Sequence, residues 1–456
     1  MCIRDSYQGA WNPVAGLTDT YSTQIWFTLF DPSLTGHPFS GKIFPIRTNW
    51  EIGTDGPKSV VNVPADAIIW DSKSKNWKEV GPNTFAISKA TFDLNFGEWH
   101  NGQKMNMNDI IYSTYFLLEW GSEKDENDKT FDSDYSPQAA QTAKTLVGIK
   151  PIDNDTIEVY TNYWHFDESQ IASWAGIWST TPWEIMSAME KSVIDGKVAF
   201  SRSDAATKNI SWLSLIVPLD ARIIQETLEY YEESQYIPSA LNQFETGNEY
   251  FESRYQKSID WITKYDHAII SNGPFYLDRY SPESRTIVVK SFDYGDYPFS
   301  PGKWSEFEQA EFPKILSIKI DNVLPKNSDT LVPVITKNSS EIHYFVSNSR
   351  GEIISHGKES VNENKSIIPL DAEIVSKLDI GANTLKIFAA SDDVLRPYEY
   401  STSFLVSETS STLPDVEVTQ TFSEIERDDY SIFIIILIAI LVTAGIIISR
   451  LKSKKG

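Results

Sequence analysis

Hydrophobic and polar positions change period several times along the chain. From Asn106 to Trp120 the sequence NMNDIIYSTYFLLEW groups Ile110, Ile111, Tyr115, Leu117 and Leu118 at helical spacing, with Asn108 or Asp109 placed to cap the first turn. The polar stretch 121–136 reads as a surface loop, Ala139 to Leu146 as helix, and Thr156 to Tyr160 (TIEVY) alternates like a half-buried strand. Ala221 to Lys264 is again helical, acidic on its exposed side and interrupted near Pro238. Near Pro313 the pattern changes to short alternating runs: Ile315 to Ile320, Ile342 to Val346, Ile353 to Ser355, Leu385 to Ala389 and Ser403 to Val406. SNSRG at Ser347 to Gly351 and DIGAN at Asp379 to Asn383 supply turns between them. The pattern predicts a mixed α/β region over 7–313 and an immunoglobulin-like β-sandwich over 314–407.

Beyond the sandwich, 408–430 is rich in Ser, Thr and acidic residues and reads as an extended stalk. Ile432 to Ser449 (IFIIILIAILVTAGIIIS) carries no charge and has about the minimum length of a membrane-spanning helix, so 431–449 is expected to cross a membrane. Acidic Glu424, Glu426, Asp428 and Asp429 precede it, and basic Arg450, Lys452, Lys454 and Lys455 follow. That bias puts 450–456 in the cytoplasm and the rest of the chain outside the cell, anchored in membrane lipid by a single pass. A tail removed on processing, or a buried terminal helix, is the alternative. Export is not encoded at the start, because Met1 to Gln8 (MCIRDSYQ) has neither a basic nor an apolar signal region. The expectation is an N-terminally truncated chain whose residues 1–6 are an extraneous extension; a lipidated Cys2 is the rival reading.

Charge and chemistry narrow the function. A net charge of −23 lacks the basic surface that phosphate backbones require, which argues against nucleic acid as a partner. One cysteine excludes an intrachain disulfide framework and a thiolate metal cluster. The chain has no GxSxG, HExxH, GxxxxGK[ST] or paired CxxC, and its six histidines are dispersed, so neither an enzyme nor a cofactor is expected. Abundant carboxylates keep a two-carboxylate hydrolase as an alternative, although no pair stands out.

Two segments carry a family resemblance. In FDLNFGEWHNGQKMNMNDIIYSTYFLLEW (92–120), Gly97, Trp99, His100, Gly102, Asp109, Tyr112 and Ser113 follow the strand-turn-helix motif of family 5 extracellular solute-binding proteins, the peptide-type and nickel-type receptors of ABC importers. Asn101 and Asn95 stand where that family usually has Asp and Arg. In SNGPFYLDRY (271–280), Asn272, Gly273, Pro274, Phe275, Leu277 and Tyr280 resemble a later strand of the same family, followed by TIVVK at 286–290 and a tyrosine segment at 294–298. The resemblance covers roughly 11–313. It implies a type II, two-lobed periplasmic-binding-protein-like fold, here incomplete, of the archaeal style with a C-terminal membrane anchor. It also implies a ligand that is a small peptide or an oligosaccharide, and an ABC transporter permease as partner. The motif residues Gly97, Trp99, His100, Gly102, Asp109, Asn272, Gly273 and Pro274 are expected to be structural.

Ligand contact is expected instead from flat aromatic faces. Trp164, Trp174, Trp178 and Trp183 crowd the segment 163–183, and Tyr21 lies with Asn12 and Trp26 in a second polar-aromatic cluster. If 173–179 is helical, Trp174 and Trp178 share one face and line one slot; otherwise they belong to the core. The sequence is thus read as the substrate-binding component of an importer, with a membrane-anchored structural or adhesion protein as the alternative and an anchored hydrolase as the third class.

Overall fold

The computed structural model describes residues 9–122, 128–245, 247–284, 286–293 and 297–408. The expected stalk, spanning helix 431–449 and tail lie outside the described residues, among which no helix is long and apolar enough to cross a membrane. The chain forms two compact units that divide between Glu306 and Phe307.

The first unit is a mixed α/β structure. Its largest sheet has six strands in the order Thr48–Gly53, Ser88–Leu94, Thr156–Thr161, Leu146–Pro151, Ile68–Asp71 and Asn76–Glu79, every pairing antiparallel. Strand Ser88–Leu94 buries Ala90, Phe92 and Leu94 at alternate positions, the period of a strand with one face on a core. Helix Trp183–Ile194 packs with Met107–Trp120, Pro218–Glu233 and Asn248–Tyr265. Asn106, not Asn108 or Asp109, caps the helix Met107–Trp120: its side chain takes the Asn108 amide while the Asp109 carboxylate takes the amide of Asn106. This reciprocal arrangement satisfies amides that the first helical turn leaves without partners. The helical pattern read over 221–264 is two helices, Pro218–Glu233 and Asn248–Tyr265, with Pro238 in the connection between them.

The second unit is a β-sandwich. Lys314–Ile318, Thr330–Lys337 and Lys365–Leu370 form one sheet; Val323–Pro325, Tyr398–Ser407, Gly381–Ala390, Glu341–Ser347 and Ile353–Ser360 form the other. Val323–Pro325 runs parallel to Tyr398–Ser407, and the remaining pairs are antiparallel. Inward positions of both sheets, among them Val332, Val334, Ile368, Leu385, Ile387 and Phe404, close a core of their own. Gly357 lies under the ring of Tyr344, where any Cβ would stand 2.4 Å from the phenol oxygen, so the partner strand leaves room for that ring by omitting a side chain.

Candidate functional site

The two sequence motifs, some 170 positions apart, meet in one buried junction. The strand Ser88–Leu94 leads into a tight turn in which Gly102, at φ +75°, lets the Gly102 amide reach the Trp99 carbonyl (2.8 Å). That turn presents His100, whose amide donates to the Ser271 carbonyl (2.9 Å) and whose Nε2 lies 3.1 Å from the Gly273 carbonyl. The Ser271 amide reaches back to His100 Nδ1 at 3.3 Å. Asn272 is fully buried, and its Oδ1 accepts the Asp31 amide. Gly273 has no room for a side chain: a Cβ would sit 2.5 Å from backbone atoms of Leu29 and Phe30. The Pro274 carbonyl accepts the Phe292 amide, and the Gly97 carbonyl accepts the Met105 amide. Burial, which disfavours a cation, lowers the pKa of His100 to about 3 and of His267 to about 4, so both rings are neutral. The motif residues therefore knit the backbone together.

Beneath the junction lies a charged knot. Arg254 Nη2 is 2.6 Å from Asp109 and 2.7 Å from Glu184, and all three side chains are buried. The same Asp109 accepts from the Trp99 indole (3.3 Å) and the Trp183 amide (3.1 Å), while Ser258 donates to Glu184 (2.8 Å). Burial alone would lower the guanidinium's pKa, but the carboxylates of Asp109 and Glu184 hold it above its ordinary value. Glu184 is raised by burial, partly offset by Arg254. Glu190 is raised by burial too; its partners are the hydroxyls of Tyr112 (2.6 Å) and Tyr115 (2.8 Å) and the Trp120 indole (3.0 Å).

The structure separates the tryptophans that the sequence grouped. Trp183 is completely buried, packed edge-on to Phe251 and Tyr255. Trp174 is half-buried, stacks on Tyr163 at 4.7 Å and donates to Thr145. Trp164 is half-buried, and Tyr21 lies 59% exposed on helix Thr20–Leu29. Asn12 is buried and donates to the Phe200 and Leu213 carbonyls, and Trp26 packs edge-on to Trp11. The helix carrying Trp174 is Glu168–Ala175, and it ends at Gly176, whose ψ of 127° is extended. Trp178 follows in irregular backbone, so the expected shared helical face of Trp174 and Trp178 does not form.

Trp178 borders a cavity. Its indole donates to the Asp31 carbonyl (3.0 Å), its ring stacks near Phe96, and the Arg47 guanidinium lies 5.8 Å from its centroid. Arg47 is fully buried and pairs with Asp31 at 2.9 Å. The cavity, about 230 Å³, is bounded by Trp178, Phe116, Leu117, Tyr135, Ile177 and Met186, among others. Ser113 ties the wall together by donating to the Trp178 carbonyl (3.1 Å). Arg47 and Arg254 escaped sequence reasoning because their partners are distant in the chain; Tyr135 and Met186 carry no motif at all. Among the described residues no group of His, Cys, Asp or Glu is arranged to hold a metal ion.

No protein-family model matches the sequence, and no curated protein matches it. Among solved structures, the oligopeptide-binding protein AppA from Bacillus subtilis, in complex with a nonapeptide, is similar at 8% identity with a TM-score of 0.24. The likeness covers 75% of this chain and 48% of that one, so the chain spans about half the length of AppA.

Proposed function

We propose that the chain is the substrate-binding component of an ABC importer, which captures oligopeptides outside the cell and delivers them to a permease in the same membrane. The observation that carries the reading is the junction: the two segments that resemble family 5 solute-binding proteins interlock through His100, Ser271 and Gly273 beside an aromatic cavity. On this reading 431–449 anchors the protein in the membrane and keeps the binding region near its permease. The chemistry is capture without covalent change: apolar burial against Trp178 and its neighbours supplies affinity, and hydrogen-bonding groups at the wall orient the ligand. At about 230 Å³ the cavity receives one side chain of a peptide, and the remainder lies outside it.

The test is direct. The full-length chain, purified in detergent from its host, is expected to carry peptides detectable by mass spectrometry and to show saturable melting shifts with a mixed-length peptide library. Absence of co-purified peptide together with unchanged melting across the library overturns the proposal, and consumption of the peptides would favour a hydrolase.

A further inference from the structure

We propose that the cavity beside Trp178 is selective for an uncharged, ring-sized group bearing a hydroxyl, such as the phenol of a tyrosyl side chain. The inference deepens the reading above by naming the ligand chemistry at the same site. Three observations converge on it. Size comes first: an apolar cavity of about 150 Å³ is enough to bind benzene, so about 230 Å³ holds a ring with one substituent. Charge comes second, because no acidic or basic side chain borders the cavity. An ammonium or carboxylate entering it gives up hydration and meets no counter-charge, a cost that an uncharged ring avoids. Polarity comes third. Among the described residues the Tyr135 hydroxyl makes no hydrogen bond, although the ring is largely buried, and burial holds its pKa well above the ordinary value, so it is a neutral donor and acceptor. The buried Thr181 hydroxyl on the same wall also has no hydrogen-bond partner among the described residues. Tyr135 and Thr181 are thus polar groups placed to meet a hydroxyl, whereas the Ser113 proton is committed to the Trp178 carbonyl and the Ser179 proton to the Thr181 carbonyl.

Methyl NMR provides a local readout, because the chain has five methionines and Met186 borders the cavity. With the full-length chain labelled at its methionine methyls, toluene and 4-methylphenol are expected to shift the Met186 signal saturably. Charged 4-methylbenzoate and 4-methylbenzylammonium should bind at least about tenfold more weakly. Tyr135→Phe should weaken 4-methylphenol about three- to tenfold, the scale of one net hydrogen bond, and leave toluene unchanged. Leu117→Trp, which fills the cavity, should abolish both shifts. Equal binding of neutral and charged probes, no saturable shift with either neutral probe, or a Tyr135→Phe variant indistinguishable from the parent overturns the inference. Peptide binding without these cavity signals would leave the importer reading standing and this inference refuted; cavity signals without peptide binding would do the reverse.

Discussion

At the scale of single residues, the largest energetic commitments lie in groups that no local pattern announces. Arg254 is 2% exposed and holds two buried carboxylates from elements well apart in the chain. Arg254→Met would leave Asp109 and Glu184 buried without a cation, and is expected to cost about 3 to 5 kcal/mol in urea unfolding; a loss below about 1 kcal/mol would show that the knot is energetically neutral. His100 makes a second test through pH. Its folded pKa of about 3 lies below the ordinary 6.5, so below pH 6.5 the unfolded chain binds more protons and stability falls on acidification. Glu184 and Glu190, whose pKa values are raised, act in the opposite sense, so the total slope does not isolate the histidine. A comparison with His100→Gln does. The stability gap between parent and variant should shrink by about 2 kcal/mol from pH 7 to pH 5, at about 1.36 kcal/mol per pH unit below 6.5. A gap independent of pH would mean that the ring titrates alike in the folded and the unfolded chain.

At the scale of elements, what the sequence reveals depends on how local the cause is. The helix Met107–Trp120 and the strand Thr156–Thr161 are legible because their own side chains carry the period of the face they bury. The strand Thr330–Lys337 is not, although it alternates cleanly, because Pro333 cannot donate to a ladder and so reads as a break. The structure accommodates the proline by facing it outward between buried Val332 and Val334. The end of helix Glu168–Ala175 is similarly hidden: a lone Gly176 decides it, and with it the parting of Trp174 from Trp178. Only Trp178 borders the cavity, so Trp178→Ala should weaken ligand binding by about 1 to 3 kcal/mol while Trp174→Ala leaves affinity unchanged. Titration calorimetry on both variants decides this, and equal losses of affinity would return the two indoles to a common site. The cap at Asn106 is tested by Asn106→Ala, expected to lower stability by about 1 kcal/mol in thermal melts; an unchanged melt would place the cap's contribution elsewhere.

At the scale of the whole molecule, composition and pattern place a break near Pro313, and the compact units divide at 306/307, a few residues earlier. The break is legible because a sandwich and a helix-rich unit demand different periods. The cavity is not, because its wall is assembled from Phe116, Tyr135, Ile177 and Met186, which share no motif and meet only through the fold. Separate cores have a thermodynamic consequence. The buried cluster of the sandwich, which includes Val332, Ile342, Val346, Ile368, Leu385 and Phe404, is drawn entirely from residues of the second unit. A single core of this size commonly folds as one cooperative unit. The fragment 307–408 is therefore expected to unfold in one sharp calorimetric transition, and the full-length chain to show that transition at the same temperature beside a second one belonging to the first unit. Peptide ligands of the kind proposed here should raise the second transition and leave the first in place, because the cavity lies wholly within residues 9–306. A fragment without a cooperative transition, or a ligand shift that moves both transitions together, would show that the two units fold as one.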